Sequence, residues 1–246
     1  MNNGTSLPFS NLCSFITTMS LASVARKSLH RRKSLLQANI GVLGQKLDLI
    51  TALRNSLGPT QANQRFAERC TIVGASVGQH FRHSTDHIEH VANSMDAWKY
   101  ERNEDANDDG VNEEIHYDIR ERGGNDENDM EAAEVRIQRV TKLFRQELDR
   151  MMSITPESKS DGDILVGNNV VQACFMLSGD PTEDEFLLSS TIERELGFVA
   201  HHAIHHMAMV KIITMHTLRL LPPDALPEGF GMAPSTIVFD NVQHRQ

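Results

Sequence analysis

The sequence has few cysteines, no long apolar run and no excess of positive charge. Its three cysteines, Cys13, Cys70 and Cys174, form no CxxC pair, which argues against a disulfide framework or a thiolate zinc site and favours a reducing compartment. No run of about 18 apolar residues occurs, so no transmembrane helix is predicted. The 24 basic residues are outnumbered by 33 acidic ones, and we therefore expect neither nucleic acid nor a membrane as a partner.

The N-terminal segment 1–27 is predicted to be flexible. No acidic residue precedes Asp48, and the segment that leads to it is rich in serine, leucine and basic residues. This composition is similar to that of a mitochondrial transit peptide. The alternative is a disordered tail before the first helix. The expected location is cytoplasmic, or the mitochondrial matrix if the segment is a targeting peptide.

Apolar residues at helical spacing predict four long helices in one domain, 28–240. A β-rich stretch, 163–177, contains Gly167-Asn168-Asn169, which predicts a small hairpin between the third and fourth helices. An acidic loop, 101–126, is expected between the second and third. The predicted fold is mainly all-α, an antiparallel four-helix bundle with a small β-hairpin. The predicted helices cover about 28–57, 75–99, 127–152 and 185–221.

Histidine is the residue in excess. Of the 12 histidines, eight fall within 80–90 and 201–206. At about 100° per residue, the four histidines of the second helix share an arc of about 80° beside its apolar stripe. On the last helix, His202 and His206 flank the apolar stripe, whereas His201 and His205 face away from it.

The spacing of His202 and His206 lets two imidazoles converge on one metal ion. A third ligand from the second helix would complete a three-histidine site with an open position. Such a site suits Zn²⁺, and imidazole also accepts Ni²⁺, Fe²⁺ or Cu²⁺. The alternative is a pair of surface or core-edge histidines without a metal.

Four segments in this order resemble the DinB/YfiT-like superfamily of metal-binding four-helix bundles, in particular its uncharacterised DinB-like branch. The resemblance covers roughly 35–237. It is carried by SVGQHFRHSTDH (76–87), YDIRERGGNDEND (117–129), STIERELGFVAHHAIHH (190–206) and LPEGFGMAPSTI (226–237).

The resemblance implies that His83, His202 and His206 bind a divalent metal, Zn or Ni above all. The helical wheel places His80 and His87 nearer the core than His83, so both remain rivals for the ligand of the second helix. The activities implied are hydrolysis or thiol transfer on a small-molecule substrate, with His205 as a candidate general base. The other hypothesis is a non-catalytic metal-binding or stress- and damage-response module. A homodimer is compatible with such bundles.

The stretch around Tyr117 and Asp118 admits two interpretations. Together with Arg120, Arg122, Glu127 and Asp129, these residues could line an entrance where the arginines bind a substrate carboxylate or phosphate. The alternative, which we favour, is an internal ion-pair network that holds a loop against the third helix. The C-terminal motif 226–237 predicts an ordered loop that folds back on the bundle.

Overall fold

The protein is mainly helical, with one small sheet. The computed structural model describes residues 9–100, 113–119, 125–153, 170–180, 183–222 and 224–243. A 3₁₀ turn covers Asn125–Glu127, and a π-helical turn covers Ile212–Thr217. In chain order the elements are α1 (Phe9–Leu57), α2 (Pro59–Ala67), α3 (Val77–Tyr100), β1 (Glu113–His116), α4 (Met130–Ser153), β2 (Val170–Phe175), β3 (Phe186–Thr191), α5 (Ile192–Lys211) and α6 (Pro234–Gln243).

The four predicted helices correspond to α1, α3, α4 and α5. α1 begins at Phe9, so residues 9–27 are helical where the sequence predicted a flexible segment. No Gly or Pro interrupts this stretch, and a helix can therefore continue through it. Residues 1–8 lie outside the described part of the chain. None of the described helices has the length and apolarity needed to cross a membrane.

The four long helices enclose one apolar core. α1 and α3 each pack against both α4 and α5. The residues at the centre of these contacts are fully buried and apolar, as the helical spacing of the sequence predicts. They include Leu36, Leu43, Ile50, Leu53, Phe81, Ile88, Ile137, Val140, Phe144, Leu196, Val199, Ala203 and Val210.

Side-chain caps define where α3 and α5 begin. Before α3, the Gln79 backbone N–H donates to Ser76 Oγ at 3.1 Å, and the Ser76 N–H donates to Gln79 Oε1 at 3.0 Å. Before α5, the Arg194 N–H donates to Thr191 Oγ1 at 3.2 Å. These caps satisfy backbone donors that a helix start leaves free. They help to fix the starts of the two helices that carry the histidine clusters.

A three-stranded sheet covers one side of the helices, in the order β1-β2-β3. β1 pairs with β2 in parallel, with Ile115 opposite Ala173, and β2 pairs with β3 antiparallel, with Ala173 opposite Leu188. Ile115 and Ala173 are buried and belong to the apolar core. The sheet therefore has one face on the core and one face away from it.

The sheet corrects two boundaries predicted from the sequence. β1 lies within the predicted acidic loop 101–126, and β3 occupies 186–191, where the last helix was expected to begin. The helix starts only at Ile192, because Thr191 is extended and caps it. β2 forms the second half of the predicted hairpin 163–177, and its described antiparallel partner is β3. The predicted turn at 167–169 lies outside the described residues.

A buried lysine joins α1 to α3. Lys46 is fully buried, and its Nζ donates to Thr85 Oγ1 at 2.7 Å and to the Phe81 carbonyl at 3.3 Å. Burial lowers the pKa of Lys46 well below its ordinary value. A buried amine needs such partners, so this contact fixes the register of α3 on α1.

An arginine joins α3 to α4. Arg136 forms ion pairs with Asp86 at 2.7 Å, Glu89 at 2.5 Å and Asp126 at 2.6 Å. Asp86 and Glu89 lie on α3, while Arg136 lies on α4. The four charged side chains are largely withdrawn from solvent. Ion pairs in such partly buried positions are screened less than ion pairs on the surface.

The C-terminal motif folds back on the helices, as predicted. Phe230 is buried, and the Gly231 N–H donates to Gln45 Oε1 on α1 at 3.0 Å. The motif does not remain a loop to its end, because α6 begins at Pro234. Proline is favoured in the first turn of a helix, where its missing N–H costs nothing.

Gly78→Ala is predicted to destabilise the fold. A Cβ at Gly78 would lie 2.1 Å from the Glu127 carbonyl oxygen and 2.7 Å from the Phe66 ring. Relieving this overlap should lower the free energy of unfolding by about 1–3 kcal/mol, measured by denaturant titration.

The matched control is Gly41→Ala on α1, where a Cβ meets no atom within 4 Å. This substitution should be neutral or stabilising by up to about 1 kcal/mol. Equal stability of the two variants would contradict the close approach at Gly78.

Candidate metal centre

Histidines from two helices meet where α3 packs against α5. α3 contributes His80, His83 and His87, and α5 contributes His202 and His206. Residues three or four positions apart share a helix face, so each helix presents its histidines as one row. Neighbouring ring centroids in this histidine cluster are 4.4 to 5.1 Å apart.

The three predicted ligands lie together in this cluster. Nε2 of His202 is 3.2 Å from Nε2 of His83 and 3.1 Å from Nε2 of His206. Nitrogens bound tetrahedrally at about 2.0–2.1 Å from one Zn²⁺ would be roughly 3.3 Å apart. The two observed separations are close to this value. All three side chains are half-buried, so they are neither sealed in the core nor fully in solvent.

The ring orientations suit convergence on one point. An imidazole binds a metal through a lone pair in the plane of its ring, so ligands to one ion need planes that intersect near it. The rings of His83 and His202 cross at 80°, those of His83 and His206 at 81°, and those of His202 and His206 at 68°. Such steep crossings allow the three planes to share one point.

His87 offers a second way to complete a triad. One ligand atom from each of His83, His87 and His202 lies within 4.8 Å of the others. However, the His87 ring stacks on His202, with centroids 4.4 Å apart and planes only 17° apart. Stacked rings have nearly parallel planes, which cannot both contain an ion about 2 Å from each nitrogen. His87 therefore fits a wall of the site better than a ligand.

His80 contacts the back of His206. Its Nδ1 lies 2.8 Å from Nδ1 of His206, on the opposite side of that ring from the Nε2 that faces His202. Ligating histidines usually hydrogen-bond through the second ring nitrogen, which fixes the tautomer and the ring orientation. His80 thus occupies the position of a supporting residue.

Burial favours the neutral form of two histidines of the cluster, His206 and His80. Burial first, then the charges of neighbouring histidines, lowers the pKa of His206 to about 2. Burial also lowers the pKa of His80, with a further contribution from His205. A neutral imidazole has the free lone pair that metal binding requires, so these residues need lose no proton to bind an ion at neutral pH.

The remaining histidines of α5 lie outside the cluster. His201 and His205 are exposed, as the helical wheel predicted. The His205 ring is nevertheless 5.5 Å from that of His206. His205 therefore borders the cluster from the solvent side, which is compatible with its predicted role as a general base.

An aromatic wall closes one side of the cluster. The Tyr117 ring lies 4.9 Å from His87 and 5.3 Å from Phe198, and the Phe198 ring lies 5.8 Å from His202. Tyr117 Oη donates to Glu195 Oε2 at 2.7 Å, and both residues are fully buried. Burial, with Glu195, raises the pKa of Tyr117, so the phenol stays protonated and keeps its donor role.

The other described residues of the predicted entrance motif make internal contacts. Asp118 accepts the Met176 N–H at 2.8 Å, Glu127 pairs with Arg82 at 2.9 Å, and Asp129 Oδ1 accepts the Glu131 N–H at 2.9 Å. These contacts favour the structural interpretation of the motif. Arg120 and Arg122 lie outside the described residues.

Comparison with protein-family models, curated proteins and solved structures finds no match.

Sequence reasoning identified His80 and His87 as neighbours of the ligands, but it missed Glu195 and Phe198. The wheel placed His80 and His87 beside the core but could not show that one supports His206 and the other stacks on His202. Glu195 and Phe198 were read only as part of the last helix. Glu195 lies three residues after the helix start at Ile192 and shares the helical direction of His202 and His206, and this position was the available signal for it.

Acidification is predicted to destabilise the metal-free protein. Because the pKa of His206 falls from its ordinary value of 6.5 to about 2 on folding, between these values the unfolded chain binds a proton that the folded chain does not. The free energy of unfolding is therefore highest above pH 6.5 and falls as the pH is lowered, by up to about 1.4 kcal/mol per unit from this group. Denaturant unfolding with a chelator, between about pH 7.5 and pH 5, measures it.

His206→Gln should flatten this dependence. His216→Gln, at an exposed histidine in the π-helical turn, is the control and should keep the wild-type slope. If His206→Gln keeps the full slope, the neutral buried imidazole at His206 is ruled out as its source.

Proposed function

We propose that this chain is a metal-dependent enzyme of the DinB-like type, in which the four long helices form an antiparallel bundle around a divalent ion. His83, His202 and His206 hold the ion, and the reaction is hydrolysis or thiol transfer on a small molecule. The observation that carries the proposal is the convergence of these three rings. Nε2 of His202 lies 3.2 Å from Nε2 of His83 and 3.1 Å from Nε2 of His206. The planes of the three rings cross at steep angles.

The ligand set favours Zn²⁺ or Ni²⁺. Three imidazoles suit either ion, and three protein ligands leave an open position, which is typical of catalytic rather than structural zinc sites. When bound, such an ion acts as a Lewis acid and makes a nucleophile available from water or a thiol at neutral pH.

The chain itself orients the ligands. For Nε2 of His206 to bind, its proton must sit on Nδ1, from which it donates to Nδ1 of His80, 2.8 Å away. On the other side, His87 stacks on His202 and is backed by Tyr117. This wall excludes water from one face of the triad, so substrate must approach from the side of His205.

Tyr117 and Glu195 support the wall rather than the reaction. Glu195 is fully buried and accepts hydrogen bonds from Tyr117, Ser190 and Arg194. A carboxylate with three donors is well satisfied and is not available as a base. It therefore anchors Tyr117 against His87 and joins the sheet to the start of α5.

Single substitutions are predicted to rank the histidines by their distance from the ion. His80→Ala should weaken metal affinity by roughly 10–100-fold, as expected for an outer-shell partner. His83→Ala, His202→Ala and His206→Ala should each weaken it more than that. His201→Ala, at the exposed neighbour of His202, is the control and should bind metal like the wild type.

Metal content after dialysis and competition with a chromophoric chelator provide the measurement. If His87→Ala loses the metal while His206→Ala keeps it, the ligands are His83, His87 and His202, and our assignment is wrong. If the wild type holds no stoichiometric Zn²⁺ or Ni²⁺, the proposed centre does not exist.

His205→Gln is predicted to separate catalysis from binding. It should retain the metal and lower kcat by about 10²–10⁴-fold, the usual contribution of a general base. His201→Gln, on the same exposed side of α5, should keep the wild-type kcat. The assay is a panel of ester, amide and thiol-acceptor substrates with Zn²⁺- or Ni²⁺-loaded protein. A metal-loaded protein without any turnover across this panel would favour the non-catalytic module.

A further inference from the structure

A second group of metal-binding side chains lies on the sheet, apart from the histidine cluster. Glu114 and His116 are on β1, and Cys174 is on β2 directly opposite His116. Alternate residues of a strand share a face, and opposed residues of neighbouring strands share one too. One ligand atom from each of these three residues lies within 4.8 Å of the others.

This sheet cluster points away from the apolar core and from the wall of the histidine cluster. The neighbouring residues Ile115 and Tyr117 are buried in the core and in the wall of the histidine cluster. Because side chains alternate along an extended chain, His116 points away from that wall. The two groups of ligands therefore lie on opposite sides of the sheet. The side chains of one group can be replaced without changing those of the other.

Glu185 completes the arrangement. Its Oε2 is 2.6 Å from Nδ1 of His116, while Nε2 of His116 is 3.1 Å from Oε2 of Glu114. A carboxylate that accepts the Nδ1–H of a histidine and leaves Nε2 for the ion is the usual outer shell of a zinc site. An O–N separation near 3.1 Å is close to that expected for two ligands on one ion at about 2.0–2.2 Å.

Two buried groups of the sheet cluster lack strong partners. Cys174 is fully buried, and its Sγ makes a long hydrogen bond, 3.8 Å, to the Gln172 carbonyl. Oε1 of Glu185 is buried with no hydrogen-bond partner among the described residues. A buried carboxylate oxygen without a partner is costly, and a nearby cation would offset that cost.

We propose that Glu114, His116 and Cys174 form a second divalent-metal site, with Glu185 positioning His116. The mixed sulfur, nitrogen and oxygen set suits Zn²⁺, which accepts all three ligand types. A metal ion would reach the site from the side of β1. Glu114 and His116 line a cavity of about 340 Å³ there, together with His90 and Asn93 of α3. The competing interpretation is a His116 imidazolium held between two carboxylates, in which Cys174 takes no part.

Co²⁺ distinguishes the two interpretations, because only a thiolate ligand produces a sulfur-to-cobalt charge-transfer band. The titration uses full-length protein carrying His202→Ala and His206→Ala, so that the first centre is disabled. We expect one Co²⁺ per chain, a charge-transfer band, and displacement of the band by Zn²⁺. The outcome does not depend on whether the histidine cluster binds metal.

Three variants in this background test the ligands. Cys174→Ala and His116→Ala should each abolish the band, and His116 is exposed enough for its loss to leave the fold intact. Cys70→Ala, at a second buried cysteine, is the control and should keep the band. Thermal unfolding of each variant checks that it is folded.

Glu185→Gln tests the positioning role. It should weaken Co²⁺ affinity by roughly 10–100-fold while retaining the band, and Glu183→Gln, at an exposed glutamate of the same loop, should change neither. The proposal is overturned if the parent chain shows no charge-transfer band, or if the band survives Cys174→Ala or is lost only with Cys70→Ala.

Discussion

The contact between α3 and α5 is the constraint on which the candidate centre depends. Each helix alone presents a row of imidazoles, and only their packing brings Nε2 of His83 to 3.2 Å from Nε2 of His202. That packing is fixed from several directions, because α3 is held to α1 by buried Lys46 and to α4 by Arg136. Protonated imidazoles this close together would repel one another. The packing of the apolar core holds the two helices together, and burial favours the neutral form of two of the rings.

The sheet adds what the helices lack. Tyr117, at the end of β1, closes the cluster on the side of His87, and Glu195 holds Tyr117 in place. The same strand directs His116 to the opposite face. One short strand therefore serves two groups of ligands, one built on helical spacing and the other on strand alternation.

The helices and the His202–His206 pair could be predicted from the sequence because both depend on local periodicity, whereas His83 was implied only by the family resemblance. The spacing of His202 and His206, and the apolar stripe beside them, are properties of one helix. Contacts between side chains of different helices could not be predicted in this way. A helical wheel gives the direction of His80 or His87, but it does not show which ring of the neighbouring helix each one contacts. The sheet was harder still: β1 and β2 pair across 58 positions at Glu113 and Val171, and β3 is largely exposed, so it has no alternating apolar pattern.

The most direct test is the anomalous scattering of a crystal grown with one equivalent of Zn²⁺. We expect an anomalous peak about 2.0–2.1 Å from Nε2 of His83, His202 and His206, with His87 stacked beside the site and not bound to the ion. A peak bound by His87 in place of His206 would contradict the ligand assignment. No peak between α3 and α5 would contradict the metal centre itself.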